Sequence, residues 1–198
     1  MRPESPGVDG GSKARKLEAL VLASPILAPV LRDWPAIALP DCWLVAGALA
    51  QTAWNDAFRV APRHGISDID LVYFDATDLS ESAEAHHSDR IQRLSYELPV
   101  RIGVKNEARV HLWYGGKFGY EIRPYVSTED AIGSSPATAT ALGVRPDAAG
   151  LSNCAPFGLR DLFNLVVRPN KRQIARAIYE TKVRRWEDLW PRLTIMEW

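Results

Sequence analysis

The sequence predicts a single α+β domain, and three observations carry that prediction. The chain has 198 residues, close to one domain of ordinary size. Hydrophobic residues make up 46% and charged residues 24%, enough apolar material for a core. Short apolar runs that suit strands alternate along the chain with segments of helical periodicity.

Residues 1–12 (MRPESPGVDGGS) are polar and glycine-rich, and read as a flexible tail before a domain spanning 13–198. They lack the apolar run of a signal peptide. Between Lys13 and Leu31 apolar residues recur at helical spacing, interrupted at Ser24-Pro25, where Ser24 is a good cap for a new helix. Cys42 to Ala46 is a short continuous apolar run and reads as a buried strand, Gly47 as a turn, and Ala48 to Phe58 as a helix. After the turn at Pro62–Gly65, Ser67 to Asp75 alternates with strand period, placing Asp68 and Asp70 on one face and Ile69 and Leu71 on the other. Ser80 to Glu97 reads as a helix with Ile91 and Leu94 inward. Pro99–Val104 and Ala108–Tyr114 read as strands, Gly115–Gly119 as a turn, Tyr120–Val126 as extended chain, and Ser127–Asn153 as loop-rich. A helical C-terminal part is expected over about 158–190: a short helix from Gly158 to Val167, then a strongly amphipathic one from Lys171 to Trp190, ended by Pro191.

Composition narrows the function classes. Lys plus Arg and Asp plus Glu each number 24, so the net charge is zero and a long nucleic-acid footprint is disfavoured. That neutrality is a cancellation: residues 68–97 hold eight acidic and two basic side chains, residues 168–192 eight basic and three acidic. A small anionic partner held through a cation is compatible with it. Cys42 and Cys154 lack metal-ligand spacing and read as reduced thiols. Pro25, Pro29, Arg32 and Pro35 break the most hydrophobic N-terminal stretch, so no membrane span is expected and a cytoplasmic location is.

The sharpest chemical signal is Gly47-Ala48 followed by Asp68-Ile69-Asp70. Two carboxylates on one strand face repel unless one is protonated or a cation lies between them. A strand ending in Leu-Val-Tyr-Phe is too apolar for a surface ribbon, and buried strands do not carry paired aspartates without cause. Hard oxygen ligands select Mg²⁺, or Mn²⁺. A glycine at a strand-to-helix turn lets backbone N–H groups point at a phosphate, aided by the helix dipole. Together these suit phosphoryl or nucleotidyl transfer, which is mostly positioning and charge neutralisation.

This pattern resembles the polymerase-β-like nucleotidyltransferase superfamily, whose signature is a Gly-Ser or Gly-Gly turn and then Asp-x-Asp. More closely, the chain is similar to the bacterial nucleotidyltransferase family of NTP_transf_6 type, formerly a domain of unknown function. The matching stretches are WLVAGALAQTAWN (43–55), DIDLVYFD (68–75), KNEARVHLWY (105–114), STEDAI (127–132), TATALGVR (138–145), APFGLRDLF (155–163) and VRPN (167–170), with RW and WP in the last helix. The resemblance covers about 35–193. It implies a small mixed sheet flanked by helices, a divalent metal and a nucleotide substrate. In two places the chain departs from the pattern. Ala48 stands where Ser or Gly is usual, keeping the backbone donors but losing a hydroxyl. No aspartate stands at the third carboxylate position, so Glu107 or His111, expected on one strand face with Arg109 and Trp113, takes that place or nothing does.

The other candidates each carry two readings. His111 is a metal ligand or base, or a hydrogen-bonded core histidine. Gln51 and Asn55, four apart on one helix, contact a ribose or triphosphate, or are structural amides. Thr138, Thr140 and Arg145 bind a base or phosphate, or simply form a turn. Lys105 and Arg109 neutralise phosphates or are solvated. His86-His87 reads as surface. Gly115-Gly116-Lys117-Phe118-Gly119 matches no P-loop. Trp43, Trp54 and Trp113 flank the site elements and are expected to wall the pocket. The expectation is Mg²⁺-dependent transfer of a nucleoside monophosphate from an NTP to an unidentified acceptor. Asp68 and Asp70 hold the metal, and Gly47 and Ala48 cradle the phosphates. The alternative is an inactive nucleotide-binding or protein-interaction module on the same fold.

Overall fold

The computed structural model describes residues 8–198; Met1–Gly7 of the expected tail lie outside them. Helix α1 (Val8–Ala23) already includes Val8 to Ser12, so the folded chain begins before Lys13. Leu17 and Val21 anchor it in the core, and the helix extends N-terminally from that anchored part despite Gly10 and Gly11. Ser24 Oγ then accepts the N–H of Leu27 at 3.3 Å, opening α2 (Leu27–Arg32), which is followed by the single turn α3 (Trp34–Ile37).

Strand β1 (Trp43–Val45) leads directly into α4 (Gly47–Phe58). Strand β2 (Asp68–Tyr73), α5 (Glu81–Leu94) and β3 (Arg101–Asn106) form a crossover unit with the two strands parallel. Ser80 caps α5, its Oγ accepting the N–H of Ala83 at 3.2 Å, while Glu81 and Glu84 occupy the first turn where the helix dipole favours them. A 3-10 turn (Glu107–Arg109) then runs into α6 (Val110–Phe118). Next come α7 (Thr128–Ile132), a 3-10 turn (Thr138–Thr140), and the hairpin β4 (Gly143–Asp147) and β5 (Gly150–Cys154). The chain closes with α8 (Arg160–Phe163), β6 (Val166–Val167), α9 (Arg176–Leu189) and β7 (Thr194–Ile195). The main sheet has five strands in the order β3-β2-β1-β4-β5, parallel only between β2 and β3; β6 and β7 make a separate parallel pair.

One face of this sheet is the core. Leu44, Ile69, Leu71, Ile102 and Val144 point into it and meet Leu49 and Trp54 of α4. Trp186 and Trp190 meet Trp54 edge-on, with ring centroids 5.5 and 5.3 Å away, so the C-terminal helix closes the core as expected. The register sets the other face: Trp43 opposes Val72, and Val45 opposes Asp70, so these four share it. Among the described residues no helix is long and apolar enough to cross a membrane.

The structure corrects several elements. Ala108–Tyr114 is not a strand. Asn106 Oδ1 accepts the N–H of Ala108 at 3.1 Å and of Asp75 at 3.0 Å, which bends the chain out of β3 and starts a helix. Val110, Tyr114 and Phe118 then fall one turn apart on one face, and Gly115–Gly116 continue the helix to a left-handed Gly119 at φ 81°. The stretch expected to be loop-rich, Ser127–Asn153, contains α7, a 3-10 turn and nearly all of the hairpin β4–β5, which ends at Cys154. The helix expected from Gly158 shrinks to α8, and the one expected from Lys171 begins at Arg176.

Candidate active-site cleft

The sheet face opposite the core opens into a cleft of about 260 Å³, to which Val45, Asp70 and Val72 contribute from β1 and β2. Asp70 sits between Val45 on one side and Gly103 of β3 on the other. A Cβ on Gly103 would lie 2.8 Å from Asp70 Oδ1, so glycine there leaves room for the carboxylate. Burial pushes the Asp70 carboxyl above its ordinary range, and the charge of Asp68 pushes it further; Lys105 and Lys182 act in the opposite sense. Asp68 lies at the exposed start of β2, outside the cleft lining, with its Oδ1 accepting from Ser67 Oγ at 2.6 Å.

Glu107 also lines the cleft, just beyond the end of β3. Its carboxyl is pushed up to about 8, first by burial and then by Glu84 and Asp70, against the pull of Lys105. The cleft thus gathers Asp70 and Glu107 with Lys105 of β3 and Lys182 of α9. Lys182 was not singled out from the sequence; its signal was the basic C-terminal segment, whose helix brings this one ammonium over the sheet.

Among the described residues no three His, Cys, Asp or Glu side chains are grouped so that they could hold a metal ion. The aspartate pair on one strand face offers hard oxygen donors. Such a pair holds a small divalent cation when water or ligand oxygens complete the shell, the usual arrangement for Mg²⁺.

The turn that precedes α4 differs from its expected form. The left-handed residue is Ala46, at φ 59° and ψ −122°, rather than Gly47. This conformation is strained for any side chain and is held by Ala46 N–H donating to Leu142 O at 2.9 Å. Ala46 lines the cleft, Gly47 and Ala48 stand just behind it, and no side chain caps α4. Gln51 is buried one turn on, its Nε2 3.3 Å from where a Gly47 Cβ would be.

The remaining candidates fall away from the cleft. His111 lies in the first turn of α6, not on a strand and not in the lining; its Nδ1 is buried without a hydrogen-bond partner. Arg109 pairs with Glu84 at 2.9 Å, which fixes α5 to the chain beyond β3. Thr138 Oγ1 donates to Asp161 at 2.6 Å, and Thr140 Oγ1 to Ala137 O at 3.1 Å. Arg145 pairs with Asp41 at 2.7 Å and stacks 4.2 Å above Trp43. These three side chains are bound within the fold. The tryptophans do not wall the cleft either; Tyr114, Phe118 and Tyr125 do.

Asn55 is structural. Its Nδ2 donates to Pro62 O at 3.1 Å and His64 O at 2.9 Å, and its Oδ1 accepts Trp190 Nε1 at 2.9 Å. Asn55→Ala leaves these partners unsatisfied and is expected to cost about 3 kcal/mol in chemical denaturation, since each buried orphan costs about 1–3 kcal/mol. Ligand affinity at the cleft should stay unchanged. Intact stability with lost affinity would return Asn55 to a binding role.

Comparisons with known proteins agree with this architecture. A family model described as Nucleotidyltransferase, NTP_transf_6, matches residues 32–195. No curated protein matches the sequence significantly. A solved NMR structure described as revealing a CCA-adding enzyme head domain superimposes with a TM-score of 0.76, covering 93% of this chain and 96% of that one at 23% identity. At that identity the likeness shows a shared fold.

Proposed function

The chain belongs to the NTP_transf_6 family of nucleotidyltransferases, and from that premise we propose that it transfers a nucleoside monophosphate from an NTP to an acceptor at the Asp70 cleft, with Mg²⁺. The observation that carries this reading is Asp70 itself: a carboxylate inside the cleft, repelled by Asp68, on a face that also presents Glu107 and two lysines. Burial and Asp68 together disfavour the charged form of Asp70, against the pull of the two lysines, and a divalent cation bound at its carboxylate would favour that form.

In this reading Asp68 and Asp70 hold the metal, with Mn²⁺ as a substitute, and phosphate oxygens and water complete its shell. The bound ion would neutralise charge developing on the phosphoryl oxygens. The free N–H groups of the first turn of α4, at Gly47 and Ala48, receive the distal phosphates at the positive end of the helix dipole. Lys105 of β3 and Lys182 of α9, both in the lining and both acting on Asp70, balance the remaining negative charge. Glu107 shares the lining with Asp70 and is the carboxyl proposed for the third position; without a cation it holds its proton at neutral pH. His111 is not proposed for that role.

Incubating the protein with α-labelled NTPs, Mg²⁺ and pooled hydroxyl and phosphate acceptors tests the proposal. Label should appear in an acceptor and require the divalent ion. Binding of Mg²⁺ and NTP without transfer to any pool would favour the inactive-module reading, which the absence of a grouped third ligand among the described residues supports.

Gly103→Ala probes the positioning of Asp70. The carboxylate is short and can swing aside, so stability should change by less than about 1 kcal/mol. Displacement of the metal-holding oxygen should nonetheless lower transfer by roughly ten- to a hundredfold, the usual cost of an ångström-scale misplacement. Unchanged kcat would mean that Asp70 is not held in register by that glycine.

A further inference from the structure

The two aspartates of β2 are held in different ways. Asp70 sits between β1 and β3 and lines the cleft. Asp68 stands exposed at the first position of β2, where a carboxylate has several rotamers open to it unless a partner selects one. That partner is Ser67, whose Oγ donates to Asp68 Oδ1 at 2.6 Å. Among the described residues the Asp68 carboxylate makes no other hydrogen bond.

Ser67 is tied in turn to the C-terminal helix. Arg185 of α9 donates from Nη2 to Gly65 O at 2.9 Å and to Ser67 Oγ at 3.5 Å. The two N–H groups of that nitrogen serve one acceptor each. A serine hydroxyl has a single proton, so a Ser67 that accepts from the guanidinium spends its proton on Asp68. We propose that Arg185 and Ser67 form a relay that positions Asp68 for the metal. Arg185 orients the hydroxyl, the hydroxyl holds Asp68 Oδ1, and Oδ2 is left for the ion. Both are positioning residues and neither touches metal or substrate. The proposal rests on the metal site described above and names the side chains that hold its exposed ligand.

Two further observations support the relay. The chain before β2 lies close against the C-terminal helical segment: Gly65 has φ 70°, and a Cβ there would lie 2.4 Å from Trp190 Cη2. Glycine at this point lets the main chain come within reach of Arg185. In addition Lys182, three residues before Arg185 on α9, lines the cleft and acts on Asp70. Neighbouring positions of one helix therefore serve both aspartates, Lys182 through charge and Arg185 through hydrogen bonds.

The sign of the Arg185 effect separates a relay from simple charge. A guanidinium near a bound cation repels it, so removing Arg185 would tighten metal binding if charge alone mattered. Loss of an outer partner that orients a ligand loosens it.

Titration of the full chain with Mn²⁺ alone, followed by the electron paramagnetic resonance of the free ion, measures this without turnover. Ser67→Ala should weaken Mn²⁺ binding roughly tenfold, the lower end of the cost of losing such a partner. Its ligand-free melting temperature should stay unchanged, because the side chain is exposed. Ser67→Thr keeps the hydroxyl and should bind like wild type. Arg185→Ala should weaken binding by a smaller factor, and should add nothing once Ser67 is replaced by Ala, since groups acting in series are not additive. Binding that Asp70→Asn abolishes but Ser67→Ala leaves intact overturns the relay alone, as does tighter binding in Arg185→Ala or a loss that Ser67→Thr shares. Failure of the wild-type protein to bind Mn²⁺ overturns the metal site and the relay together.

Discussion

Replacing Asp70 by Asn should lower nucleotidyl transfer by on the order of a thousandfold or more, because it removes a charge that the proposed mechanism uses to hold the metal against the reacting phosphate. The same substitution should raise the thermal stability of the ligand-free protein. Burial and the neighbouring Asp68 hold the carboxyl of Asp70 above its ordinary range, so the fold disfavours its charged form. The sign follows from linkage: a carboxyl raised by folding stabilises the fold at low pH and loses that contribution as pH rises. Asn keeps the shape without the charge and should be more stable than Asp at neutral pH. Wild-type protein should gain melting temperature with Mg²⁺ and NTP, since the ligand binds only the native state, and the variant should lose most of that gain. An equal gain in the variant would remove Asp70 from the site.

Glu107 should give the molecule a strong pH dependence. Its carboxyl is raised from 4.5 to about 8, chiefly by burial. Below pH 4.5 it is protonated whether folded or unfolded, and its full contribution to stability is present. As pH rises toward about 8 the unfolded chain ionises while the fold retains the proton, so stability falls. The interval between 4.5 and about 8 corresponds to at most about 5 kcal/mol. Glu107→Gln should flatten this slope and leave a more stable apo protein above neutrality. Denaturation curves between pH 5 and about 8.5 for both proteins measure it, with Mg²⁺ excluded. Identical slopes would show that Glu107 ionises freely. If Glu107 completes the metal shell, the variant should also lose transfer activity, separating it from a residue that only tunes stability.

Much of the fold was legible because its signals are local. The alternation of Asp68, Ile69, Asp70 and Leu71 gives the correct faces for β2, and Ile69 and Leu71 are fully buried in the core. The run at 43–45 followed by glycine gives β1 and α4. What failed depended on side-chain capping or long-range pairing. The stretch from Ala108 to Tyr114 has strand-like composition, yet Asn106 caps it and the spacing of Val110, Tyr114 and Phe118 is helical. β4 and β5 are short and polar, and they become strands by pairing with β1 and with each other.

Of the aspartate pair singled out from the sequence, Asp70 lines the cleft and Asp68 lies outside the lining, while Lys182, Gln173 and Ser135 arrive there from segments far apart in sequence. Asn55, Thr138, Thr140 and Arg145 have side chains suited to a ligand, and each is instead bound to another part of the fold. Spacing alone does not distinguish a polar group that is already satisfied from one held open.

A crystal structure of the protein with Mn²⁺ and a non-hydrolysable NTP decides whether the cleft is the transfer site. An anomalous metal peak is expected between the carboxylates of Asp68 and Asp70 and the triphosphate, with the distal phosphates at the start of α4 and Lys182 beside them. A metal peak away from Asp70, or a nucleotide seated outside this cleft, would contradict that assignment.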